Sequence, residues 1–354
     1  MICCYIALKF KSICIIFDMM ENDFKRMCYL VGIKIKIIGL CILSILMLTG
    51  CGNGHSEIKN PIEDENSVDA IEIFVDENVA SRGEIVEIIV EATLKDGEKE
   101  VLTEGLEIFT DLTVDSENSF VIPEEALTGD NYAIDVVYKG LNAHKDINVV
   151  NFLSETIDSE GMIIKPEALD MVVNKSRNLP SDYVPEDLVS VAVNTCLSNE
   201  EVNQLRKVAS DALTALFKGA EADGLNLVAR SGYRSYNTQT ALYNGYVSRH
   251  GQEYADKYSA IPGQSEHQSG LAMDITAQSA GLQLEDYFGD TDEGKWVSVH
   301  AHEYGFIIRY PEGMENITGY LYEPWHLRYF GINLATEVYE SGLTLEEYFM
   351  NFEE

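Results

Sequence analysis

The stretch Ser265-Glu-His-Gln-Ser-Gly-Leu-Ala-Met-Asp274 places an imidazole and a carboxylate seven residues apart, across an expected loop-to-strand boundary. After Gly270 the apolar residues occupy alternate positions: Leu271, Met273 and Ile275. This alternation is typical of a strand with one buried face, so Asp274 should point away from the core. Gly270 lets the preceding backbone turn and bring the ring of His267 over the same face. His267 and Asp274 therefore have the pattern of half a metal site.

The stretch Glu323-Pro-Trp-His326 supplies the other half. Two imidazoles and one carboxylate are typical of catalytic zinc, which keeps a fourth position open, whereas closed structural sites usually have four ligands rich in cysteine. Glu323, three residues before His326, is close enough to act as a general base. Residues three apart in a regular strand face opposite sides, so this pairing requires an irregular backbone, for which Pro324 is the expected cause.

Three stretches, in this order, resemble the VanY-type zinc D-alanyl-D-alanine carboxypeptidases: Ser231-Gly-Tyr-Arg-Ser235, Ser265 to Asp274 and Glu323-Pro-Trp-His-Leu-Arg-Tyr329. The resemblance also takes in residues 174–189 and 304–311. It covers roughly the last 200 residues and implies nothing for the first 150. The fold that it implies is an α+β zinc peptidase domain, with helices packed on a mainly antiparallel sheet.

The same resemblance implies roles for individual residues. The ligands of one Zn²⁺ per chain fall on His267, Asp274 and His326, the general base on Glu323 and the transition-state arginine on Arg234. Ser265 and Gln239 match positions that contact the peptide, although Gln239 also fits a solvated helix residue. The implied reaction is removal of the C-terminal D-alanine from peptidoglycan stem peptides, with D,D and L,D specificity both open.

Two other functions fit the same sequence. One is a peptidoglycan endopeptidase on the same scaffold, which would lack a pocket for a free terminal carboxylate. The other is a non-catalytic wall-binding lipoprotein that keeps the fold. A damaged zinc or base position would favour the last, and every motif residue is present.

Local patterns predict the elements around Arg234. Ser198-Asn-Glu-Glu201 reads as a capping box before a helix of about 20 residues that ends near Gly224. A strand at 225–229 and a helix at 237–249 should follow, which places Arg234 in the turn between them. The fixed fork of its guanidinium is suited to hold a carboxylate or an oxyanion there. His300 and His302 lie in the last turn of another helix, before Gly305, and are not expected as ligands.

Composition predicts a folded, exported protein. The 354 residues are 46% hydrophobic and 24% charged, typical of globular chains, and the length predicts two folded domains. Residues 51–354 hold 19 Lys and Arg against 56 Asp and Glu, a formal charge of −37. Such a chain repels nucleic acid and anionic lipid headgroups, so neither is an expected partner.

Residues 1–50 read as a leader and lipoprotein signal peptide. Lys34 and Lys36 precede an apolar run at 37–48 that is too short for a comfortable membrane span. Leu48-Thr-Gly-Cys51 resembles a lipobox, so Cys51 is expected to carry lipid and anchor the protein to the outer face of the cytoplasmic membrane of a monoderm bacterium. The alternative is a plain secretory signal with an incidental cysteine. Beyond Cys51 only Cys196 remains, so no intramolecular disulfide is expected.

The remaining chain divides into four expected parts. Residues 51–68 are polar and acidic and predict a flexible tether. Residues 69–150 contain short β-type runs at 71–75, 85–94, 106–110, 132–138 and 147–150, with a hairpin signal at Asp96-Gly97. They predict a small all-β sandwich, Ig-like, that serves as a spacer or a wall-contacting module. A junction at 151–170 and the peptidase domain at 171–354 follow.

Overall fold

The structure is a computed structural model, and it describes residues 67–76 and 78–352. The predicted signal peptide, the predicted lipidation site at Cys51 and nearly all of the predicted tether lie outside these residues. Within them, no helix is both long enough and apolar enough to cross a membrane.

The described residues before 150 form an all-β region. Its nine strands are β1 (Val68–Phe74), β2 (Val79–Ala80), β3 (Ile85–Glu87), β4 (Ile89–Leu94), β5 (Lys99–Leu102), β6 (Glu107–Phe109), β7 (Ser119–Val121), β8 (Asn131–Tyr138) and β9 (Leu141–Val149). They pair as a three-stranded sheet (β1-β4-β5), a four-stranded sheet (β2-β9-β8-β6) and a β3-β7 pair. The two larger sheets share one apolar core, to which β4 contributes Val90 and β8 contributes Ile134. The expected N-terminal all-β region is confirmed, while its Ig-like character stays a prediction.

The sequence pattern predicted the hairpin between β4 and β5 but not the full length of β9. The hairpin signal was correct, since Gly97 adopts a φ of +87° in the turn between β4 and β5. Strand β9 begins at Leu141, well before the predicted run at 147–150. Its early inward positions hold Ala143 and Lys145, which are partly buried but do not form an apolar alternation. Pairing with β8 along its whole length defines this strand instead.

The later part of the chain has the expected α+β fold. Its strands are β10 (Leu188–Ser190), β11 (Gln204–Arg206), β12 (Leu227–Ser231), β13 (Ala272–Ala277), β14 (Phe306–Tyr310) and β15 (Glu323–Tyr329). Its helices are α1 (Lys207–Ala222), α2 (Tyr236–His250), α3 (Gln252–Tyr258), α4 (Asp292–His300), α5 (Glu315–Thr318), α6 (Ile332–Ser341) and α7 (Leu345–Met350). The central sheet has the order β12-β13-β15-β14, with every pair antiparallel, and β10 pairs with β11. This fold class is confirmed.

The two faces of the central sheet have different coverings. Helix α1 packs on one face, where Met273, Ile275 and Leu327 join its buried side chains in a single core. The other face carries Asp274 and His326, as the alternation in β13 predicts, and part of it is covered by α6 and α7 through contacts with Ile307. The site residues therefore lie on the face opposite the main core.

The predicted start of the long helix was wrong. Helix α1 begins at Lys207, and the stretch before it forms strand β11, in which Leu205 pairs with Val189. Glu201 does not cap this helix: its carboxylate accepts hydrogen bonds from the backbone N–H of Ser235 (2.8 Å) and the hydroxyl of Thr238, at the start of α2. Local spacing could not show this, because both partners are distant in sequence. The predicted helix at 237–249 is confirmed as α2.

A buried carboxylate helps to join the β region to the later part of the chain. Asp170, which is 4% exposed, accepts hydrogen bonds from Arg82 (2.6 Å to each oxygen), from Asn151 Nδ2 (2.7 Å) and from the backbone N–H of Thr128 (3.1 Å). Buried charge is tolerated only when it is paired and hydrogen-bonded. These contacts therefore fix Arg82 and the loop around Thr128 against Asp170.

We expect Asp170→Ala to lower the free energy of unfolding by about 3–5 kcal/mol, because it leaves the guanidinium of Arg82, whose side chain is only 11% exposed, without its carboxylate partner. The matched control is Glu124→Gln, which removes a solvent-exposed ion pair with Lys165 in the same part of the molecule. Exposed pairs contribute about 0–1 kcal/mol. Urea unfolding measures both variants, and equal losses would contradict the role given to Asp170.

Candidate metal and catalytic site

Three side chains converge on the site face of the central sheet. His267 lies in the 3-10 helix Glu266–Ser269, which ends at Gly270 with a φ of +68°. Asp274 of β13 and His326 of β15 are directly opposite each other in the antiparallel pairing, which places their side chains on one face. All three are buried, with exposures of 6%, 5% and 2%. Two of these residues lie in paired strands and the third in the turn that leads into β13, so the cluster is formed by the fold itself.

The spacing of the donor atoms fits a tetrahedral metal ion. One donor atom from each of the three residues lies within 4.8 Å of the others. His267 Nε2 is 3.4 Å from Asp274 Oδ2, and His326 Nδ1 is 3.0 Å from Asp274 Oδ1. Ligands about 2.0–2.1 Å from a tetrahedral zinc ion are roughly 3.4 Å apart from one another. Two imidazoles and a carboxylate at these separations are therefore a suitable donor set.

Hydrogen bonds determine which nitrogen of each imidazole faces Asp274. His267 Nδ1 is 2.7 Å from the carbonyl oxygen of Gly232, which only accepts, so Nδ1 carries the hydrogen and Nε2 is left for a metal. His326 Nε2 is 3.0 Å from Glu266 Oε2, so here Nδ1 is the metal-facing atom. Such outer partners fix the tautomer and orientation of metal-binding histidines.

The electrostatics of the cluster favour a cation. Burial alone would raise the pKa of Asp274, but His267 and His326 hold it well below its usual range. Burial alone would lower the pKa of His326, but hydrogen bonds to Asp274 and Glu266 raise it to about 10. Positive charge between these carboxylates is thus stabilised, and a divalent metal ion would supply it.

An irregularity in β15 brings Glu323 to the cluster. In the β14–β15 pairing Ile308 is opposite Leu327 and Tyr310 is opposite Glu323, so Arg309 alone spans the three residues Pro324, Trp325 and His326. This bulge allows Glu323 Oε2 to lie 3.8 Å from His326 Nδ1, although the two residues are three apart. The irregular backbone at Pro324 is confirmed.

Glu323 differs from the three converging residues in exposure. Its side chain is 28% exposed, against 3% for that of His326, so water can reach it. Burial nevertheless raises the pKa of Glu323 to about 7. A carboxylate with this pKa can accept and release a proton near neutral pH, which is what a general base requires.

Arg234 is held beside the cluster by local contacts. It follows β12 and precedes α2, in the predicted turn, and its backbone N–H donates to the carbonyl of His267 (3.2 Å). Its guanidinium donates to Gln239 Oε1 (2.7 Å) and Ser231 Oγ (3.1 Å). Burial lowers the pKa of Arg234, and the carboxylates of Asp274 and Glu323 oppose this effect. The positive charge of Arg234 is therefore stabilised by two carboxylates of the site, Asp274 and Glu323.

The two candidate substrate contacts are both buried. Gln239 is 1% exposed, so it is not a solvated helix residue. Its amide accepts from Arg234 and donates to Ser259 Oγ (3.2 Å) and the carbonyl of Ala260 (2.6 Å), which makes it a support for the arginine. Ser265 is 4% exposed and immediately precedes the 3-10 helix of His267. A contact of either residue with substrate stays a prediction.

His300 and His302, which the sequence did not predict as ligands, have other partners. His300 Nδ1 is 3.2 Å from Glu303 and its ring packs against Trp296. His302 stacks on Tyr339 at a ring-centroid distance of 3.9 Å. Neither joins the cluster, and Gly305 ends the preceding turn with a φ of +82°, as expected.

Sequence reasoning missed four buried charged residues around the cluster: Glu266, Arg309, Arg328 and Glu346. Glu266 accepts from Arg309 Nε (3.0 Å) and contacts His326, while Arg328 Nη1 is 4.0 Å from it. A signal was available for Arg309, since it is a charged residue inside the otherwise apolar strand β14. Such residues are almost never fully buried unless paired.

Comparisons with known proteins agree with this geometry. Residues 202–332 match the VanY family, described as D-alanyl-D-alanine carboxypeptidase. The chain is 46% identical over 194 residues to the candidate carboxypeptidase YodJ of Bacillus subtilis, covering 54% of this chain and 71% of that relative. It is 36% identical over 187 residues to a D-alanyl-D-alanine carboxypeptidase of Enterococcus faecalis, covering 50% and 64%. Among solved structures, that of the LdcB LD-carboxypeptidase, described in terms of peptidoglycan recognition, has 46% identity and a TM-score of 0.53, covering 55% of this chain and 91% of that one.

We expect the chain to bind one Zn²⁺ and His267→Ala to lose most of that affinity, because the variant removes one of three ligands. The matched control is His302→Ala, which removes an imidazole that lies outside the cluster. Zinc at 100 times its dissociation constant should stabilise the native chain by about 2.7 kcal/mol. Metal analysis and thermal unfolding with and without zinc measure both effects. Equal zinc binding by the two variants would contradict the ligand assignment.

Proposed function

Because this chain belongs to the VanY D-alanyl-D-alanine carboxypeptidase family, we propose that it uses zinc to remove the C-terminal D-alanine from peptidoglycan stem peptides. The chain is a peptidase of a family that acts on peptidoglycan. The observation that carries the finer proposal is the convergence of His267, Asp274 and His326 beside a carboxylate and a guanidinium. Its relatives include enzymes named for both D-alanyl-D-alanine and LD cleavage, so the proposal covers either bond.

In this proposal the ion is held by His267 Nε2, Asp274 and His326 Nδ1. Bound zinc supplies Lewis acidity, which polarises a carbonyl group and makes water more acidic. The protein contributes one charged and two neutral ligands, since Gly232 and Glu266 fix the two imidazoles in the required tautomers. Three protein ligands leave room for substrate and water, as in other catalytic sites.

Glu323 moves the protons of the reaction. Its carboxylate lies on the exposed side of the cluster and takes a proton from the water that attacks the scissile carbonyl. The same proton then passes to the nitrogen of the departing D-alanine as the C–N bond breaks. A pKa of about 7 supports both transfers near neutral pH.

Arg234 stabilises the negative charge that develops on the carbonyl oxygen. Gln239 and Ser231 restrain the guanidinium before substrate arrives, so little reorganisation is needed during the reaction. Removal of one such donor typically costs about 2.7–4 kcal/mol in transition-state free energy. Ser265 and Gln239 complete the proposed substrate side of the site.

The substrate places this activity outside the cytoplasm. We further propose that Cys51 carries a lipid and that the tether and the β region at 69–150 act as a spacer between the membrane and the peptidase region at 171–354. The formal charge of −37 over residues 51–354 supports a neutral or cationic wall component as partner rather than nucleic acid. Stem peptides reached from the outer face of the cytoplasmic membrane fit this arrangement.

We expect the purified full chain to shorten muropeptides by one alanine, and a zinc chelator to abolish the reaction. Mass spectrometry of the products measures it. Shortening of pentapeptides would assign D,D specificity, and shortening of tetrapeptides would assign L,D specificity. Release of longer fragments would replace the proposal with an endopeptidase, and no cleavage by zinc-loaded protein would favour a wall-binding lipoprotein.

We expect Glu323→Gln to lower kcat by about 10²–10⁴-fold, because the variant cannot accept the water proton. Zinc content should stay at one ion per chain, since the metal-binding side chains are unchanged. Glu312→Gln, in the exposed loop before β15, is the matched control and should retain full activity. An active Glu323→Gln variant would rule out this base.

A further inference from the structure

Glu346 lies beyond the family match, yet its side chain reaches toward the proposed metal site. The match ends at residue 332, and Glu346 is in helix α7. It is 7% exposed, and its two carboxylate oxygens accept from Arg309, at 2.9 Å from Nη1 and 2.5 Å from Nη2. Asn174 Nδ2 donates to Glu346 Oε1 at 3.3 Å. The carboxylate is thus fixed from two sides.

Arg309 links this carboxylate to a second one. Its side chain is fully buried, and its Nε donates to Glu266 Oε1 at 3.0 Å. Because Arg309 occupies Oε1, the other oxygen of Glu266 is left to face His326 Nε2, also at 3.0 Å. Four side chains therefore form a continuous row, from Glu346 through Arg309 and Glu266 to His326.

Stability alone does not account for this row. Replacing buried ion pairs by well-packed apolar side chains is often neutral or stabilising, so a fold gains little from them. The surroundings here are apolar, since Ile307, Phe330 and Phe349 pack in the same layer between the sheet and helices α6 and α7. The charged row ends at the imidazole of His326, which is the one proposed metal ligand in the row. Each link in the row uses different atoms of the side chain that it shares. Arg309 donates its Nη atoms to Glu346 and its Nε to Glu266, and Glu266 keeps its second oxygen for His326.

We propose that Glu346 and Arg309 are positioning residues of the metal site. Glu346 aligns the guanidinium of Arg309, Arg309 orients Glu266, and Glu266 accepts the Nε2 hydrogen of His326, so that Nδ1 is presented to the metal. This inference rests on the proposed function, in which His326 binds zinc. It makes the C-terminal helix α7 part of the apparatus that holds the metal, without contact to the substrate.

The test measures zinc affinity rather than turnover. In the full chain, Glu346→Gln removes the charged partner, and Arg309→Lys keeps the charge but loses the fork that joins the two carboxylates. The matched control is Glu347→Gln, which removes the capping-box carboxylate of the same helix and leaves Arg309 untouched. Competition with a chromophoric chelator gives the zinc dissociation constant of each metal-free variant.

We expect Glu346→Gln and Arg309→Lys to weaken zinc binding by about 10–100-fold, the range found for outer partners of metal ligands. Glu347→Gln keeps the capping box, since Gln also accepts at this position, and its zinc affinity should stay within about twofold of the original chain. In the zinc-loaded protein, the Nε2 hydrogen of His326 should exchange with solvent faster in the first two variants only. Proton NMR of the histidine rings measures that exchange.

Zinc affinities within twofold of the original chain for both variants would overturn the inference and leave the proposed function intact. A loss in Glu347→Gln as large as in Glu346→Gln would also overturn it, because the helix would then act only through stability. Should Glu346→Gln not fold, Glu346→Asp keeps the charge with a shorter reach and carries the same expectation. An original chain that binds no zinc would overturn the inference and the proposed function together.

Discussion

The structure depends on neutralising negative charge that is buried on one face of a four-stranded sheet. Asp274 and Glu266 lie on either side of the His326 ring, and both are almost fully removed from water. Each would be costly alone, since desolvation of a carboxylate in a protein interior amounts to several kcal/mol. Burial alone would raise the pKa of Glu266, but Arg309, the hydrogen bond with His326 and Arg328 together lower it to about 2. Asp274 faces the two imidazoles and the space suited to a metal ion.

The register of the sheet determines which side chains surround the buried carboxylate of Asp274. Antiparallel pairing places Asp274 opposite His326, and the turn at Gly270 carries His267 over the same face. A regular β15 would direct Glu323 to the other face of the sheet. The bulge opposite Arg309 adds the residues that return Glu323 to the site. One backbone irregularity thus adds a partly exposed carboxylate to the three converging side chains.

The cluster of His267, Asp274 and His326 was predictable because these residues lie in two short stretches of sequence. His267 and Asp274 share one stretch, Glu323 and His326 share another, and alternation in β13 determines the face of Asp274. The charged row was not predictable in this way, because Glu266, Arg309 and Glu346 are far apart in sequence and meet only after the sheet and α7 pack. The same reason explains the misplaced helix start, where Glu201 serves α2 rather than the helix that follows it. Strand β9 was hidden because Lys145 occupies an inward position.

Residues beyond the family match also shape the site, because they pack on the same face of the central sheet. The match to the VanY family covers residues 202–332 and ends at the first residue of α6. Leu334, Leu345 and Phe349, all beyond that point, form with Ile307 the apolar layer that covers the face on which Arg309 lies. Without this layer Arg309 would be solvated, and a water-exposed guanidinium would have no fixed orientation toward Glu266. The C-terminal helices exclude water from the buried charges, and this strengthens the hydrogen bonds that orient Arg309 and Glu266. The side chains that exclude water are therefore part of the site.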